Sequence, residues 1–199
     1  MIINSTIEFL ILHKTLKSIL MKQLLFACLL IASTGNAQEA LPKDNNDEIV
    51  FAEVVEAKAL SKGELYANAK AWISTYYKSS RVINGEDDLD GTINCKSMFQ
   101  VFSDVSKGKK AGFVNYQMDL FIKDNRYKYE IYALKHVDHT DQVGSGGKLE
   151  NAIPYCGFKK LKEETWIVIK EQSSDNINEI ITALKKGMAF TEGEKNDNW

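Results

Sequence analysis

The chain has 199 residues, with 25 Lys and Arg against 27 Asp and Glu. Hydrophobic residues make up 44% and there are only 2 prolines, which excludes a disordered, collagen-like or disulfide-dense chain. A formal net charge of −2 argues against a nucleic-acid coat, because phosphate binding needs a cationic face.

The N-terminus reads as an export tag. From Met21 it carries a positive start at Lys22, an apolar run Leu24–Ala32, and the small, polar stretch Ser33-Thr34-Gly35-Asn36-Ala37. That is the layout of a secretory signal peptide. Gly35 and Ala37 occupy the two positions where a signal peptidase admits only short side chains, so cleavage is predicted after Ala37. The signal peptide is therefore assigned to residues 1–37, with Met21 as the expected true start and residues 1–20 as an upstream extension. The apolar run is far shorter than the roughly 20 residues a spanning helix needs, so the mature protein is expected to have no transmembrane segment. Leu25-Phe26-Ala27-Cys28 is a poor lipidation box, since Cys28 lies inside the apolar run and Phe26 is bulky. Export to the periplasm or cell envelope is the expected destination.

Cleavage leaves 162 residues with a net charge of −4, since Lys14, Lys17, Lys22 and Glu8 leave with the tag. A chain of this size buries roughly 70% of its unfolded surface and can form one stable domain without staples. Two cysteines remain, Cys95 and Cys156. An oxidising compartment allows a disulfide between them, while the position of Cys95 on the apolar face of a strand also suits a small buried hydrophobe.

Residues 38–47 are polar and aperiodic, a flexible leader. Glu48–Glu56 is rich in β-formers and apolar on both faces, which predicts a strand covered on both sides over part of its length. Ser61-Lys62-Gly63-Glu64 forms a capping box, with Leu60 and Leu65 at the staple positions. Leu65, Ala69, Trp72, Ile73 and Tyr76 then recur at helical spacing, predicting a helix from Lys62 to about Lys78. Four strands follow: a short Arg81–Asn84 ended by an acidic turn from Gly85, then Thr92–Phe102, Ala111–Lys123 and Arg126–Leu134. Asp124-Asn125 is a two-residue hairpin turn, since both tolerate a positive φ. The stretch 138–154 is a long glycine-rich loop. Phe158–Gln172 fits helix in its first half and helix or strand at Trp166–Ile169. Ser174-Asp175 is expected to cap a final helix with the stripe Ile177, Ile180, Ile181, Leu184 and Met188, ending near Gly187. Thr191–Trp199 is a loose tail.

This order is β-α-β-β-β-β-α, an α+β chain. It resembles a family of small exported bacterial domains, domain of unknown function 4468. The resemblance rests on the strand Ile49–Val55, the helix with Trp72 and the pair Tyr76-Tyr77, and the two long strands. The hairpin Lys123–Tyr129 and the final Leu184-Lys185-Lys186-Gly187-Met188 also carry it. It implies a TATA-binding-protein-like (TBP-like) fold: one domain over residues 48–190, a curved antiparallel sheet with helices on one face. It implies no activity and no cofactor.

The chemistry-bearing motifs are few. His136-x-x-His139 with Asp138 and Asp141 is the one metal-like cluster, but residues three apart on a strand point to opposite faces. The imidazoles converge only if the strand ends between them. Gly144–Lys148 lacks the glycine spacing of a phosphate loop and has Leu149 where Ser or Thr should follow. Glu86–Gly91 lacks the spaced acids of a calcium loop. The mature histidines number two and no G-x-S-x-G elbow occurs, which disfavours a serine hydrolase. Lys128, Glu130 and Tyr132 alternate on a strand and would form a mixed aromatic and charged surface if one sheet face is open. The leading expectation is a non-enzymatic envelope module that binds a protein or small molecule there. A metal-dependent hydrolase using His136 and His139 is the first alternative and a structural envelope component the second. Purified protein analysed for metal, with a His139→Ala variant, separates the first two.

Overall fold

The computed structural model describes residues 41–140 and 143–189. The export tag, Asp141 of the metal-like cluster and the tail from Thr191 lie outside the described residues.

Strand β1 (Val50–Glu56) leads to helix α1 (Lys62–Tyr76), then to β2 (Ile83–Asp87), β3 (Thr92–Asp104), β4 (Lys109–Lys123) and β5 (Arg126–Val137). A two-residue strand β6 (Gly147–Lys148) and the long helix α2 (Glu163–Met188) complete the chain. The sheet runs β1-β5-β4-β3-β2 with every pairing antiparallel, and β6 adds to β5 beyond the end of β1. Both helices pack on the same face, so the expected α+β architecture with a one-sided core is what the chain forms.

The core follows from alternation. Ile93 and Cys95 on β3, Val114, Tyr116, Met118, Leu120 and Ile122 on β4, and Tyr127, Tyr129 and Ile131 on β5 are buried. Their neighbours in sequence point to the other face, as a period of two requires. Against the buried face lie Leu65, Ala69, Trp72 and Ile73 of α1 and Trp166, Ile169, Ile177, Ile180, Leu184 and Met188 of α2. The helices meet where Gly187 crosses Trp72: a Cβ on Gly187 would lie 2.6 Å from the indole Cδ1.

Local chemistry fixes the start of α1. Ser61 and Glu64 make the reciprocal capping box. The β4–β5 turn reinforces it: the Asp124 carboxylate accepts from the Lys62 amide at 2.8 Å, a negative charge at an amino-terminal helix end. Asn125, at φ 62°, donates its amide to the Leu60 carbonyl at 2.9 Å and accepts from the Ala57 amide at 2.8 Å. The hairpin tip thereby ties down the β1–α1 connection.

Several expectations need correction. Arg81 and Val82 are not strand: Ser80–Val82 forms a 3-10 turn, with the Ser79 hydroxyl accepting from the Arg81 amide at 3.1 Å. The strand starts at Ile83 and takes in Gly85, Glu86 and Asp87. Trp166–Ile169 is helix, and α2 begins at Glu163 rather than at Ser174. Ser174 and Asp175 stand mid-helix, and the buried positions 166, 169, 173, 177, 180, 184 and 188 form one unbroken stripe. Gly187 lies inside the helix, whose carboxyl-terminal cap is Ala189. Residues 42–49, the end of the polar leader and the first two residues of the expected strand, fold into a turn: Asp44 Oδ1 accepts from the amides of Asn46 and Glu48 at 2.8 and 3.0 Å, and Lys43 bridges to Ile49. The glycine-rich loop is ordered around β6.

Candidate functional site

The face of the sheet without helices carries the polar half of each strand. At its β4–β5 centre, Asp119 accepts from Tyr132 Oη at 2.9 Å and from Asn94 Nδ2 at 2.8 Å. Burial, and then the Asp119 carboxylate, push the Tyr132 phenol above its ordinary pKa, so Tyr132 stays a donor. Lys128 and Glu130 pair at 2.6 Å, and the Lys128 ammonium stands 5.9 Å from the centre of the Phe121 ring. The three residues named from the sequence share one half-buried surface, and two of them neutralise each other.

An irregularity in β5 opens a concavity beside them. Asn115 and Gln117 of β4 pair with Lys135 and Tyr132, so one residue of β4 faces two of β5. This is a β-bulge, which bends and twists the strand that carries it. Ala133 sits in it at φ 56°, a left-handed conformation that costs a non-glycine residue about 1 kcal/mol. Beyond the bulge the buried side of β5 continues with Leu134 and His136 instead of odd-numbered residues.

Over the bulge lies a cavity of about 500 Å³. Lys96 and Met98 of β3 form one wall. Asn115 and Gln117 make the floor with Tyr132, Ala133 and Lys135, and Glu48, Lys148 and Glu150 close the far side. Two oxygens on lining residues, Asn115 Oδ1 and Glu150 Oε2, are buried without a hydrogen-bond partner. Such a group costs about 1–3 kcal/mol when left unmet. Glu150 is held in place through its other oxygen, which accepts from the Ile49 amide at 3.0 Å. Glu48 and Lys148 face each other at 3.4 Å. Lys96 and Lys135 have no ion-pair partner among the described residues. Met98 is 54% exposed, an apolar side chain on a charged wall.

The metal-like cluster is not assembled. His136 is fully buried on β5. Its Nε2 bonds the Ala111 carbonyl and its Nδ1 accepts from the Gly146 amide at 2.9 Å, so neither nitrogen is open to a metal. Burial lowers its pKa below 6.5 and keeps the ring neutral. His139 is exposed after the strand, with its ring 5.9 Å from Phe113. The Asp138 carboxylate is committed to its own loop, accepting from the Thr140 hydroxyl at 2.7 Å and the amides of Thr140, Val143 and Gly144. Burial alone would raise its pKa, but those donors outweigh it and lower it. Among the described residues no three His, Cys, Asp or Glu side chains converge as a metal-binding group.

Cys95 and Cys156 are free thiols rather than a disulfide. Cys95 pairs opposite Met118 in mid-sheet, where burial pushes its thiol pKa up to about 12. Cys156 lies in the loop before α2, 3.9 Å from the Val143 carbonyl. The acidic turn is spent on structure too: Glu86 pairs with Lys70 at 2.9 Å, and Asp87 accepts from the Asp90 amide at 3.0 Å.

Residues 51–136 match the profile of a family described as a domain of unknown function, DUF4468, with a TBP-like fold. Over that stretch the chain is similar to this family. A TBP-like protein from Parabacteroides distasonis has the same fold, with a TM-score of 0.53 at 20% identity, over 74% of this chain and 98% of that one. A DUF4468 family protein from Bacteroides ovatus superposes with a TM-score of 0.57 at 16% identity, over 77% and 93%. No curated protein matches. The DUF4468 span covers β1 to His136 of β5, so Lys96, Asn115 and Tyr132 fall inside it while Glu48, Lys148 and Glu150 fall outside. No helix among the described residues is long and apolar enough to cross a membrane.

Sequence reasoning found Tyr132 and its even-numbered neighbours but missed the cavity. Lys96, Met98, Asn115 and Gln117 were legible as the outward half of two alternating strands. Glu48 and Glu150 were not, because β6 brings them together across about a hundred residues of chain.

Proposed function

We propose that this DUF4468 protein is an exported, non-enzymatic module of the cell envelope that binds a small ligand on its open sheet face. The cavity over the β5 bulge carries the reading. Its volume falls within the range of small-molecule sites, roughly 300–1,000 Å³. Lys96 and Lys135, without ion-pair partners among the described residues, favour an occupant that brings hydrogen-bond acceptors, and backbone strain at Ala133 is held where the cavity forms. Strain of this kind persists where surrounding structure enforces it, often at ligand sites. A hydrolase centred on His136 and His139 has no support, since the His136 nitrogens are spent.

The test is chemical-shift mapping on the mature chain with maltose, trialanine and citrate as separate probes. At least one is expected to shift the amides of Lys96, Asn115, Gln117 and Tyr132 and to spare α1 and α2. No response from any probe, or shifts confined to the helical face, overturns the reading.

A further inference from the structure

We infer that the cavity selects small organic acids and seats the acidic group between the ammonium groups of Lys96 and Lys135. The inference rests on the ligand-binding reading above and goes further by assigning the charge of the ligand and the two side chains that hold it.

The bulge decides which residues reach the cavity. Tyr132 lies on the open face, so strict alternation would send Leu134 and His136 there and turn Lys135 into the core. The extra residue at Ala133 reverses this: Leu134 and His136 are buried and Lys135 is exposed. Bulges re-aim side chains in this way. In register, Lys135 then stands beside Asn115, and Lys96 beside Gln117. The two lysines are therefore two strands apart with a two-residue offset, about 12 Å between Cα atoms at ~4.8 Å per strand and ~3.4 Å per residue. Both line the cavity, and their flexible four-carbon stems reach inward from opposite sides to one acidic group.

The acids around them are already satisfied. Glu48 faces Lys148, Glu130 pairs with Lys128, and Asp119 accepts from Tyr132 and Asn94. Glu150 accepts from the Ile49 amide, and its other oxygen is buried beyond the reach of an occupant. Lys96 and Lys135 have no such partner among the described residues. Lys135 also pairs in register with Lys148, and like charges directly opposite each other destabilise a sheet. An anion offsets that repulsion. A cation adds to it, and a neutral molecule leaves it in place. A bare inorganic ion leaves most of a cavity of about 500 Å³ unfilled. Gln117 on the floor offers a donor and an acceptor to a polar body, and the exposed Met98 offers it an adaptable apolar contact. Carboxylate and phosphate present the same charged oxygens to an ammonium group.

Titration calorimetry on the mature chain at low salt decides the matter with two matched pairs: citrate against trimethyl citrate, and glucose 6-phosphate against glucose. At least one acid is expected to bind roughly tenfold or more tightly than its neutral partner, the worth of one charge-assisted contact. The pair that responds tells carboxylate from phosphate. Lys96→Gln and Lys135→Gln should each remove most of that preference, while Lys128→Gln, on the same face but paired with Glu130, should keep it. Lys135→Gln should leave the thermal midpoint no lower, since it relieves the repulsion from Lys148. Acids and neutral partners binding alike overturn the inference, as does a preference that survives both lysine substitutions. Inorganic phosphate binding as tightly as glucose 6-phosphate, with no preference for citrate, shows an adventitious ion only and overturns it too. Maltose binding in the mapping experiment with no acid bound also overturns it but leaves the ligand-binding reading standing. Silence from every probe in both experiments removes both.

Discussion

His136 shows how a residue suggestive of chemistry can be wholly structural. With Nε2 donating to Ala111 and Nδ1 accepting from the Gly146 amide, the neutral ring is fully satisfied. A second proton would have to sit on Nδ1, facing another N–H. The folded-state pKa is therefore lowered from 6.5, and as pH falls below that value the unfolded chain takes up the proton first. The stability this gives neutral His136 is complete above pH 6.5 and lost as pH falls toward the folded pKa. Urea midpoints measured from pH 8 to pH 5 should decline for the wild type and decline less for His136→Gln; parallel curves would refute the assignment. Asn115 behaves in the opposite way. Its buried oxygen has no partner, so Asn115→Leu should raise stability by about 1 kcal/mol, read as a higher urea midpoint. Lower stability in that variant would mean the oxygen is satisfied in solution.

At the scale of elements, legibility depended on whether the local signal agreed with the packing. Helix α1 was readable because its capping box and its apolar stripe start together. Ser61→Ala should cost about 1 kcal/mol, read as a lower denaturation midpoint with an unchanged slope. Helix α2 was misread because Ser174-Asp175 looks like a start signal. The residues on either side bond backward within the helix instead: Ser173 Oγ donates to the Ile169 carbonyl at 2.7 Å, and Asn176 Nδ2 to the Gln172 carbonyl at 2.7 Å. Tertiary burial then overrides weak propensity. Gly187 misled for a related reason: it looks like a stop and is a contact. Gly187→Ala gains about 1 kcal/mol of helix propensity yet places a methyl group 2.6 Å from the Trp72 ring. Overpacking of that kind costs ~1–3 kcal/mol, so the net effect should be destabilising, and thermal melts should show it as a lower midpoint. The bulge at Ala133 had no sequence mark at all, since alanine gives no sign of a positive φ; for that reason β5 was expected to end at Leu134.

For the whole molecule, fold and site differ in how they are encoded. The sheet follows from alternation, which is local, so the β3–β4–β5 meander was visible in the sequence. The cavity depends on a loop folding back as β6 to place Glu150 beside Ile49, a contact without local trace. The proposed export tag is local again and carries the last prediction. Gly35 and Ala37 suit a peptidase that tolerates only short side chains, while the compact unit begins at Leu41. Cleavage after Ala37 would thus remove the apolar run and leave that unit whole. The exported product should have Gln38 as its first residue by mass spectrometry. Ala37→Leu should block processing and retain the chain at the membrane by its apolar run Leu24–Ala32. The lipoprotein alternative predicts a lipid-modified Cys28 instead, a mass increase that the same spectrum would reveal. An unprocessed chain recovered from the cytosol would remove the envelope from the proposal and leave only the cavity to argue from.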